Sequence, residues 1–358
     1  MRKVGSIFHF HKELANDFYV SEIRGIMRSL LGVFPALLFC FSACATVSEH
    51  RPVEILLAKE FTKGEPEYSG LAWAGQDLVL LPQFPDRFPG EEGGNLLVVP
   101  KKRIEDYLSG DNRVPIVPRK IAFDDDGVLD AIPGFEGFEA LVVDGNHVYL
   151  TIEAKEGDGR RGYIVSGSAD WTEGRVRLNR SSLKQIQFET LMFQMSFESL
   201  ILWNDLLVTI YEANGSVMTD SPRALVFDQA LNELQPLPLP SIEYRITDAT
   251  AVAEDGTFWI INYFYPGEEK LKPAVDPIAE RYGRGPTHRA EPTVERLLQL
   301  ELGEQRISLK DRPPIQLSLM TGEARNWEGI VTLDDRGFLL VSDTYPRTIL
   351  SFVSLEPR

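Results

Sequence analysis

Residues that could bind a metal ion recur at one position of a phrase repeated five times along the chain. Each phrase has a polar residue, a small residue and apolar residues, followed by a turn and a β-rich run. The polar positions are Ser69, Glu139, Glu198, Asp248 and Glu328. If the four carboxylates converge, they repel one another, and some take up protons unless a cation binds. Calcium accepts roughly six to eight oxygen ligands, including carboxylates and hydroxyls, so the set predicts a calcium site.

The repeated acids also have a second interpretation. Each could accept hydrogen bonds from backbone N–H groups of the neighbouring repeat, and a bound cation could serve only to tie the repeats together. A zinc site has no support, because both cysteines, Cys40 and Cys44, lie near the N-terminus and the remaining His50, His147 and His288 lack zinc-ligand spacing.

A second polar residue ends the β-rich run of each repeat. These positions are Gln83, Glu153, Glu212, Asn262 and Asp343. Glu153, Glu212 and Asp343 are the candidate catalytic residues, since a carboxylate there could position a water molecule. Paired acids would also suit a glycosidase, but sequence separation gives no distance between them.

Basic residues form a third repeated set, just before the next predicted strand. They are Arg161, Arg223, Arg296 and Arg347. One interpretation is a within-repeat ion pair, such as Glu153 with Arg161 or Asp343 with Arg347. The other is an anion-binding rim, because guanidinium groups bind phosphate and carboxylate in a bidentate manner. The long loop 265–292 contributes Arg281 and His288, and we expect it to cover the same site.

The elements that position these residues are predicted to be strands of a β-propeller. Short apolar runs alternate with turn residues, and the polar positions are spaced 70, 59, 50 and 80 residues apart. We expect an all-β, five-bladed propeller, with six blades as the alternative. The first strand of each blade should line the axis, which puts both polar sets at one mouth. The predicted outer strands include 119–123 and 185–188. The last unit lacks an outer strand, and the run 53–57 is predicted to supply it and close the ring.

Composition and the N-terminal sequence limit the possible functions and location of the protein. The chain has 358 residues and a formal net charge of −16, which argues against nucleic-acid binding. Residues 1–26 are interpreted as an over-extended gene start, residues 27–45 as a signal peptide, and residues 50–358 as one propeller domain. The sequence 41–44 is similar to a lipobox with Cys44 as the lipidated residue, whereas 43–45 also fits ordinary secretion. We expect an exported, lipid-anchored monomer that contacts membrane only through the anchor.

Helices are predicted to be short. The segment 102–108 could form one, and a second could begin at Pro277 with Asp276 as its N-cap.

The phrase around Glu139, Glu198 and Glu328 resembles the phytase-like propeller family, labelled "esterase-like activity of phytase". The clearest match runs from Trp327-Glu328-Gly329-Ile330 to Val341-Ser342-Asp343. The order of ring residues is also similar to that of five-bladed calcium-activated nucleotidases, the apyrases. That resemblance implies calcium ligands at Ser69, Glu139, Glu198 and Glu328, with Asp248 where that family has a hydroxyl residue.

Two functions are consistent with these residues. The first is a calcium-dependent hydrolase of a phosphate ester or similar anionic substrate, bound by Arg161, Arg223, Arg347, Arg281 and His288. The second is a non-catalytic propeller of the cell envelope that binds a ligand or protein. The chain has no Gly-x-Ser-x-Gly elbow, P-loop or dinucleotide fingerprint.

Overall fold

The computed structural model describes residues 47–62, 67–88, 94–188 and 195–356. All of them belong to one compact unit that runs from Ala45 to Arg358. The predictions for residues 1–26, for the signal peptide and for Cys44 lie outside the described residues. No helix within the described ranges has the length and apolar character needed to cross a membrane.

The strands confirm the all-β prediction and pair with their sequence neighbours. Two short strands come first: β1 (Glu49–His50) and β2 (Val53–Ile55). The first meander is β3 (Tyr68–Ala74), β4 (Asp77–Pro82), β5 (Asn95–Pro100) and β6 (Arg119–Asp124). The second is β7 (Phe135–Asp144), β8 (His147–Glu156), β9 (Gly159–Asp170) and β10 (Arg175–Leu178), with β11 (Lys184–Gln185) also paired to β9.

The remaining strands continue the pattern. The third meander is β12 (Ile201–Trp203), β13 (Leu206–Ile210), β14 (Arg223–Asp228) and β15 (Leu237–Pro238). The fourth is β16 (Arg245–Ala249), β17 (Thr257–Phe264), β18 (Val294–Leu302), β19 (Ile307–Leu309) and β20 (Ile315–Leu317). The last contains β21 (Trp327–Leu333), β22 (Gly337–Ser342) and β23 (Leu350–Ser354).

The N-terminal strand completes the last meander, as the sequence predicts. Val53, Glu54 and Ile55 of β2 pair antiparallel with Phe352, Ser351 and Leu350 of β23. The strand before it, β1, pairs in parallel with β20 of the fourth meander. The first residues of the described chain therefore join two neighbouring meanders.

Apolar clusters between successive meanders show that the arrangement is a closed ring. Within the described residues, separate buried clusters join the first meander to the second, the second to the third, the third to the fourth and the fourth to the fifth. Another cluster joins the fifth meander and β2 back to the first. The fold is thus a β-propeller, in which each sheet buries both faces against its neighbours.

Helices are short, as expected, and fill the connections. They are α1 (Lys101–Ser109), α2 (Val128–Ala131), α3 (Pro277–Tyr282) and α4 (Pro286–Ala290). Asp276 caps α3 as predicted, since its Oδ1 accepts hydrogen bonds of 3.1 Å from the backbone N–H groups of Ile278 and Ala279.

Two details of the strand prediction need correction or qualification. The predicted outer strand 185–188 is present in part, because β11 (Lys184–Gln185) pairs with Ile164 and Tyr163 of β9. The sequence analysis missed β10, which pairs with both β9 and β6. The interval from Asp248 to Glu328, where a sixth blade could have been inserted, contains β17 to β20, α3 and α4, and its strands belong to the fourth meander.

Candidate functional site

Four of the five repeated polar residues lie at interruptions in the β-ladder. The pairing of the first two strands of a meander shifts register at Ser69, at Glu139, at Asp248 and at Glu328. A bulge of this kind bends the strand and redirects a side chain. Glu198 reaches the same region from the segment before β12.

The centre of the site is Arg245, which the sequence analysis did not single out. Its Nη2 donates to both carboxylate oxygens of Glu198, at 3.1 and 3.2 Å, and lies 3.6 Å from Oε1 of Glu328. Its Nε donates to the fully buried Glu212. Its Nη1 donates to Glu268 at 3.4 Å and to Asn326 Oδ1 at 3.2 Å. One guanidinium therefore holds acids from three meanders.

Backbone geometry before Arg245 explains how it enters the ring. Tyr244 has a φ of 71°, in the left-handed region that bulky residues rarely occupy. Its ring lies 4.9 Å from that of Phe264, and Arg245 forms an isolated bridge with Ala213 of the third meander. Such strained positions cluster at functional sites. The available sequence signal was that Arg245 lies three residues before Asp248. However, Arg325 lies three residues before Glu328 in the same way and bonds Glu295 instead.

Burial makes the ring carboxyls hard to ionise. Desolvation raises the pKa of Glu139, Glu198, Glu212 and Glu328 well above the usual 4.5, and neighbouring acids add to the shift. The charge of Arg245 opposes this shift without cancelling it. Although burial disfavours the charged form of Arg245, its acidic neighbours raise the pKa of its guanidinium, so it stays charged. The site combines a fixed positive charge with protonatable carboxyls.

Ser69 and Asp248 turn to the backbone of the neighbouring meander. The Ser69 hydroxyl donates to the carbonyl of Phe138 at 2.5 Å. Asp248 Oδ2 accepts a 2.7 Å hydrogen bond from the backbone N–H of Ile330, and burial raises its pKa well above 3.8. This is the backbone-bonding role that the sequence left open for the repeated acids.

The second polar set surrounds the first. Gln83 donates to Glu139 at 3.1 Å, and the charge of Glu153 raises the pKa of Glu139. Glu153 accepts a hydrogen bond from Arg160 at 2.6 Å. Asp343 Oδ2 accepts one from Asn326 at 2.8 Å, and the same Asn326 amide donates to Glu328.

The fourth member of that set, Asn262, differs from the others. Its amide donates to the carbonyls of Glu243 and Arg245, at 2.8 and 3.1 Å. Asn262 is fully buried and therefore supports the chain on both sides of Tyr244 rather than the ring directly.

The basic residues predicted to bind an anion lie away from this cluster. Arg161 pairs with Glu156, and Arg347 pairs with Glu54 through bonds of 2.6 and 2.7 Å. The guanidinium of Arg223 lies 5.6 Å from the ring centre of Phe188. The predicted ion pairs of Glu153 with Arg161 and of Asp343 with Arg347 were therefore wrong.

Strand geometry explains the difference between Arg160 and Arg161. Arg160 lies opposite Lys155 and diagonal to Glu153 on one face of the β8–β9 pair, whereas Arg161 lies opposite Ala154 and faces the other way. Arg296, also in the basic set, bonds Asn262 at 2.8 Å and Asp276 at 2.9 Å, which is a within-meander contact.

The long loop covers the site only with its first residues. Glu268 contacts Arg245, and the segment then continues through a short 3-10 turn at Glu269–Leu271 into α3 and α4. Arg281 pairs with Asp311 at 2.6 Å beyond β19. His288 is buried, and its Nδ1 lies 3.0 Å from Glu49 Oε1 of β1. The expectation that the whole loop forms a lid was wrong, because α4 docks against β1.

A cavity of about 460 Å³ opens beside the ring. Its lining consists of Arg245, Tyr263, Tyr265, Glu268, Glu323, Ala324, Asn326, Tyr345 and Pro346. Asn326, which lines the cavity, bonds both Glu328 and Asp343.

The ring offers oxygen donors of the type that calcium prefers. Among the described residues, no group of three or more His, Cys, Asp or Glu side chains is placed to hold a metal ion. Arg245 lies between Glu198, Glu212 and Glu328, so a cation bound to them would compete with its guanidinium.

Comparisons with known proteins return structures but no family. No protein-family model and no curated protein matches the sequence. RS223 β-xylosidase is 10% identical, with 86% of this chain and 98% of that chain covered and a TM-score of 0.48. The glutaminyl cyclase of Myxococcus xanthus is also 10% identical, with 86% and 98% covered and a TM-score of 0.42. At such identities, the likeness says nothing about a reaction.

Proposed function

We propose that the ring mouth is the active site of a hydrolase that acts on an uncharged or cationic substrate by carboxyl acid–base catalysis. The observation that carries this proposal is the Glu328–Asn326–Asp343 group beside the 460 Å³ cavity. Two carboxyls with raised pKa values share one amide there, and that amide lines the cavity.

The two carboxyls differ in their surroundings. Glu328 is only 7% exposed, and desolvation, aided by the charge of Asp343, raises its pKa well above 4.5. Asp343 is half-buried; burial raises its pKa, while hydrogen bonds from Asn326 and from the backbone N–H of Tyr345 oppose the rise. Groups whose environments separate their pKa values can act as acid and base. Glu328 is the proposed acid, and Asp343 is the proposed base or nucleophile.

The charge of the cavity favours a substrate without negative charge. In the described part of the chain, Arg245 is the one basic side chain that lines the cavity, and it is already paired with acids. Glu268 and Glu323 add two carboxylates to the lining. Tyrosine rings, carboxyls and an amide suit a hydroxyl-bearing substrate such as a glycoside, whose hydrolysis needs two carboxyl groups.

Chromogenic substrates test this function. Aryl glycosides and aryl phosphates with the same leaving group should be compared in one assay, and we expect turnover of a glycoside. Asp343→Asn and Glu328→Gln should each lower kcat/KM by roughly 10²–10⁴-fold, the usual contribution of a catalytic acid or base. Asp335→Asn, in the exposed β21–β22 turn, is the matched control and should leave kcat/KM unchanged.

Either of two results would refute the proposal. One is turnover of phosphates alone, and the other is turnover that survives both carboxyl substitutions. If no substrate is turned over, while ligands bind the cavity, the non-catalytic binding propeller is the better description.

Calcium and a phosphate ester form the second candidate, which the phytase-like and apyrase resemblances suggest. Its support is the excess of ring acids over Arg245, since added positive charge would relieve their repulsion. Bound calcium would polarise a substrate oxygen, with Glu139, Glu198 and Glu328 as its holders. A thermal melt with EDTA and with calcium tests it, and an unchanged Tm would exclude the cation.

Export, lipid anchoring at Cys44 and a monomeric state remain proposals. Export and the lipid anchor are inferred from the sequence of residues 27–45. Labelling with a fatty-acid analogue in wild type and in Cys44→Ala would test the anchor, because the label should be lost in the variant.

A further inference from the structure

Two turns form the rim of the cavity, and both are anchored to the central network. In the fourth meander, the turn Tyr265–Glu268 closes with a 2.9 Å bond from the Glu268 N–H to the Tyr265 carbonyl, and Glu268 also contacts Arg245. In the fifth, Asn326 donates its backbone N–H to the Tyr345 carbonyl at 3.1 Å, and the Tyr345 N–H bonds Asp343 at 2.6 Å. Hydrogen bonds therefore hold both turns of the rim in a defined conformation.

The rim presents aromatic rings to solvent. Tyr265 is 52% exposed and Tyr345 is 68% exposed, although both line the same cavity. The ring of Tyr265 lies close to the backbone of its own turn, since a Cβ added at Gly267 would come within 2.4 Å of its Cε1. A side chain at position 267 would therefore have to displace this ring.

The charge at the rim has the sign that attracts a cation. Glu268 and Glu323 also line the cavity, and the guanidinium of Arg245 is already in contact with the carboxyls of Glu198 and Glu212. The guanidinium of Arg245 itself lies 5.5 Å from the ring centre of Tyr263, so one cation already uses an aromatic face at the base of the cavity. Tyrosine faces combined with carboxylates recognise organic ammonium groups.

From these features, we propose that the cavity binds an organic ammonium group, held between Tyr265 and Tyr345 with Glu268 and Glu323 as counter-charges. The inference rests on the proposed function and narrows its substrate class to molecules bearing an amine or quaternary ammonium, such as an amino sugar.

Calorimetric titration with choline and with its uncharged isostere, 3,3-dimethylbutan-1-ol, tests the inference at fixed ionic strength. Choline should bind at least about fivefold more tightly, which is the effect of a modest cation–π contribution. Tyr345→Ala should weaken choline binding by about three- to tenfold, whereas Tyr345→Phe should retain it, because the aromatic face remains. Tyr282→Ala, at a tyrosine bonded to Asp311 away from the cavity, is the control and should change nothing.

Equal binding of choline and the isostere would overturn the inference, and so would the absence of saturable choline binding. The assay is independent of turnover. Choline binding without hydrolysis would remove the proposed reaction and keep the ligand class. Glycoside hydrolysis with no preference for aminated substrates, together with no choline binding, would keep the proposed reaction and remove the ligand class.

Discussion

The two ends of the propeller axis are made by the same strands but have opposite chemistry. At the mouth, the first strands of the meanders carry the buried acids around Arg245. From one to four residues further along, those strands enclose a cavity of about 200 Å³ with a mostly apolar lining, which includes Leu71, Leu141, Leu200, Ala249 and Ile330. The ladder interruptions separate the two ends. In each meander, the repeated polar residue is therefore found at the mouth, and apolar residues that follow it along the chain line the inner cavity.

The largest effect expected at the mouth is the loss of its central charge. Arg245→Met should lower the free energy of unfolding by about 3–5 kcal/mol at neutral pH, because it leaves buried carboxylates without a partner. Urea denaturation measures the change. Arg281→Met, which removes an exposed ion pair with Asp311, should cost less than about 1 kcal/mol. If the two variants lose the same stability, the ring is not held by Arg245.

The two ends should also respond differently to pH. The ring glutamates have folded-state pKa values above the 4.5 of the unfolded chain, so the folded protein binds more protons once the pH exceeds about 4.5. Stability should therefore fall as pH rises through this window, by up to about 1.4 kcal/mol per pH unit for each proton. Urea denaturation as a function of pH checks this slope.

Variants at each end sharpen the pH comparison. Glu198→Gln should make the slope shallower, since one titrating group is removed. Ile330→Ala, at the apolar end, should lower stability by about 2–4 kcal/mol and leave the slope unchanged. Stability that rises through the same window would contradict the direction of the ring shifts.

The smallest effect is expected at Asp248, which lies at a ladder interruption but bonds to backbone. In Asp248→Asn, the amide oxygen can still accept the Ile330 N–H, so stability should change by less than about 1 kcal/mol. Any calcium-induced shift in Tm should also persist. If the calcium-induced shift in Tm were lost in this variant alone, Asp248 would be a cation ligand together with the ring acids.

The sequence predicted what depends on periodic patterns. Alternating apolar runs and turn residues predicted the propeller and the closure by β2, because both follow from which faces must be buried. The polar positions could be found because the same phrase recurs in the sequence, and four of the five lie at a bulge in the same place of their meander. The bulge itself was not predicted, because it appears only when two strands are paired.

Side-chain direction accounts for most of what the sequence could not predict. Arg245 and Arg325 precede a repeated acid by the same number of residues. Their backbones differ, because Tyr244 has a positive φ and Arg245 forms a bridge with Ala213, whereas Arg325 bonds Glu295. Likewise, Arg160 and Arg161 are adjacent in sequence and face opposite sides of one sheet. Pairing register and local backbone geometry decide such cases, and neither has a clear signature in one sequence.

The pairing of β2 with β23 has a consequence for the order of assembly on the ribosome. Strand β2 is among the first described segments to be synthesised, yet its antiparallel partner, β23, is the last strand of the described residues. The acids of the fifth meander also arrive late, whereas Arg245 and Glu198 are made earlier. A nascent chain thus carries an unmatched edge and an incomplete ring of charge until the fifth meander has been made. Strand β2 must stay free of other partners until β23 has been synthesised.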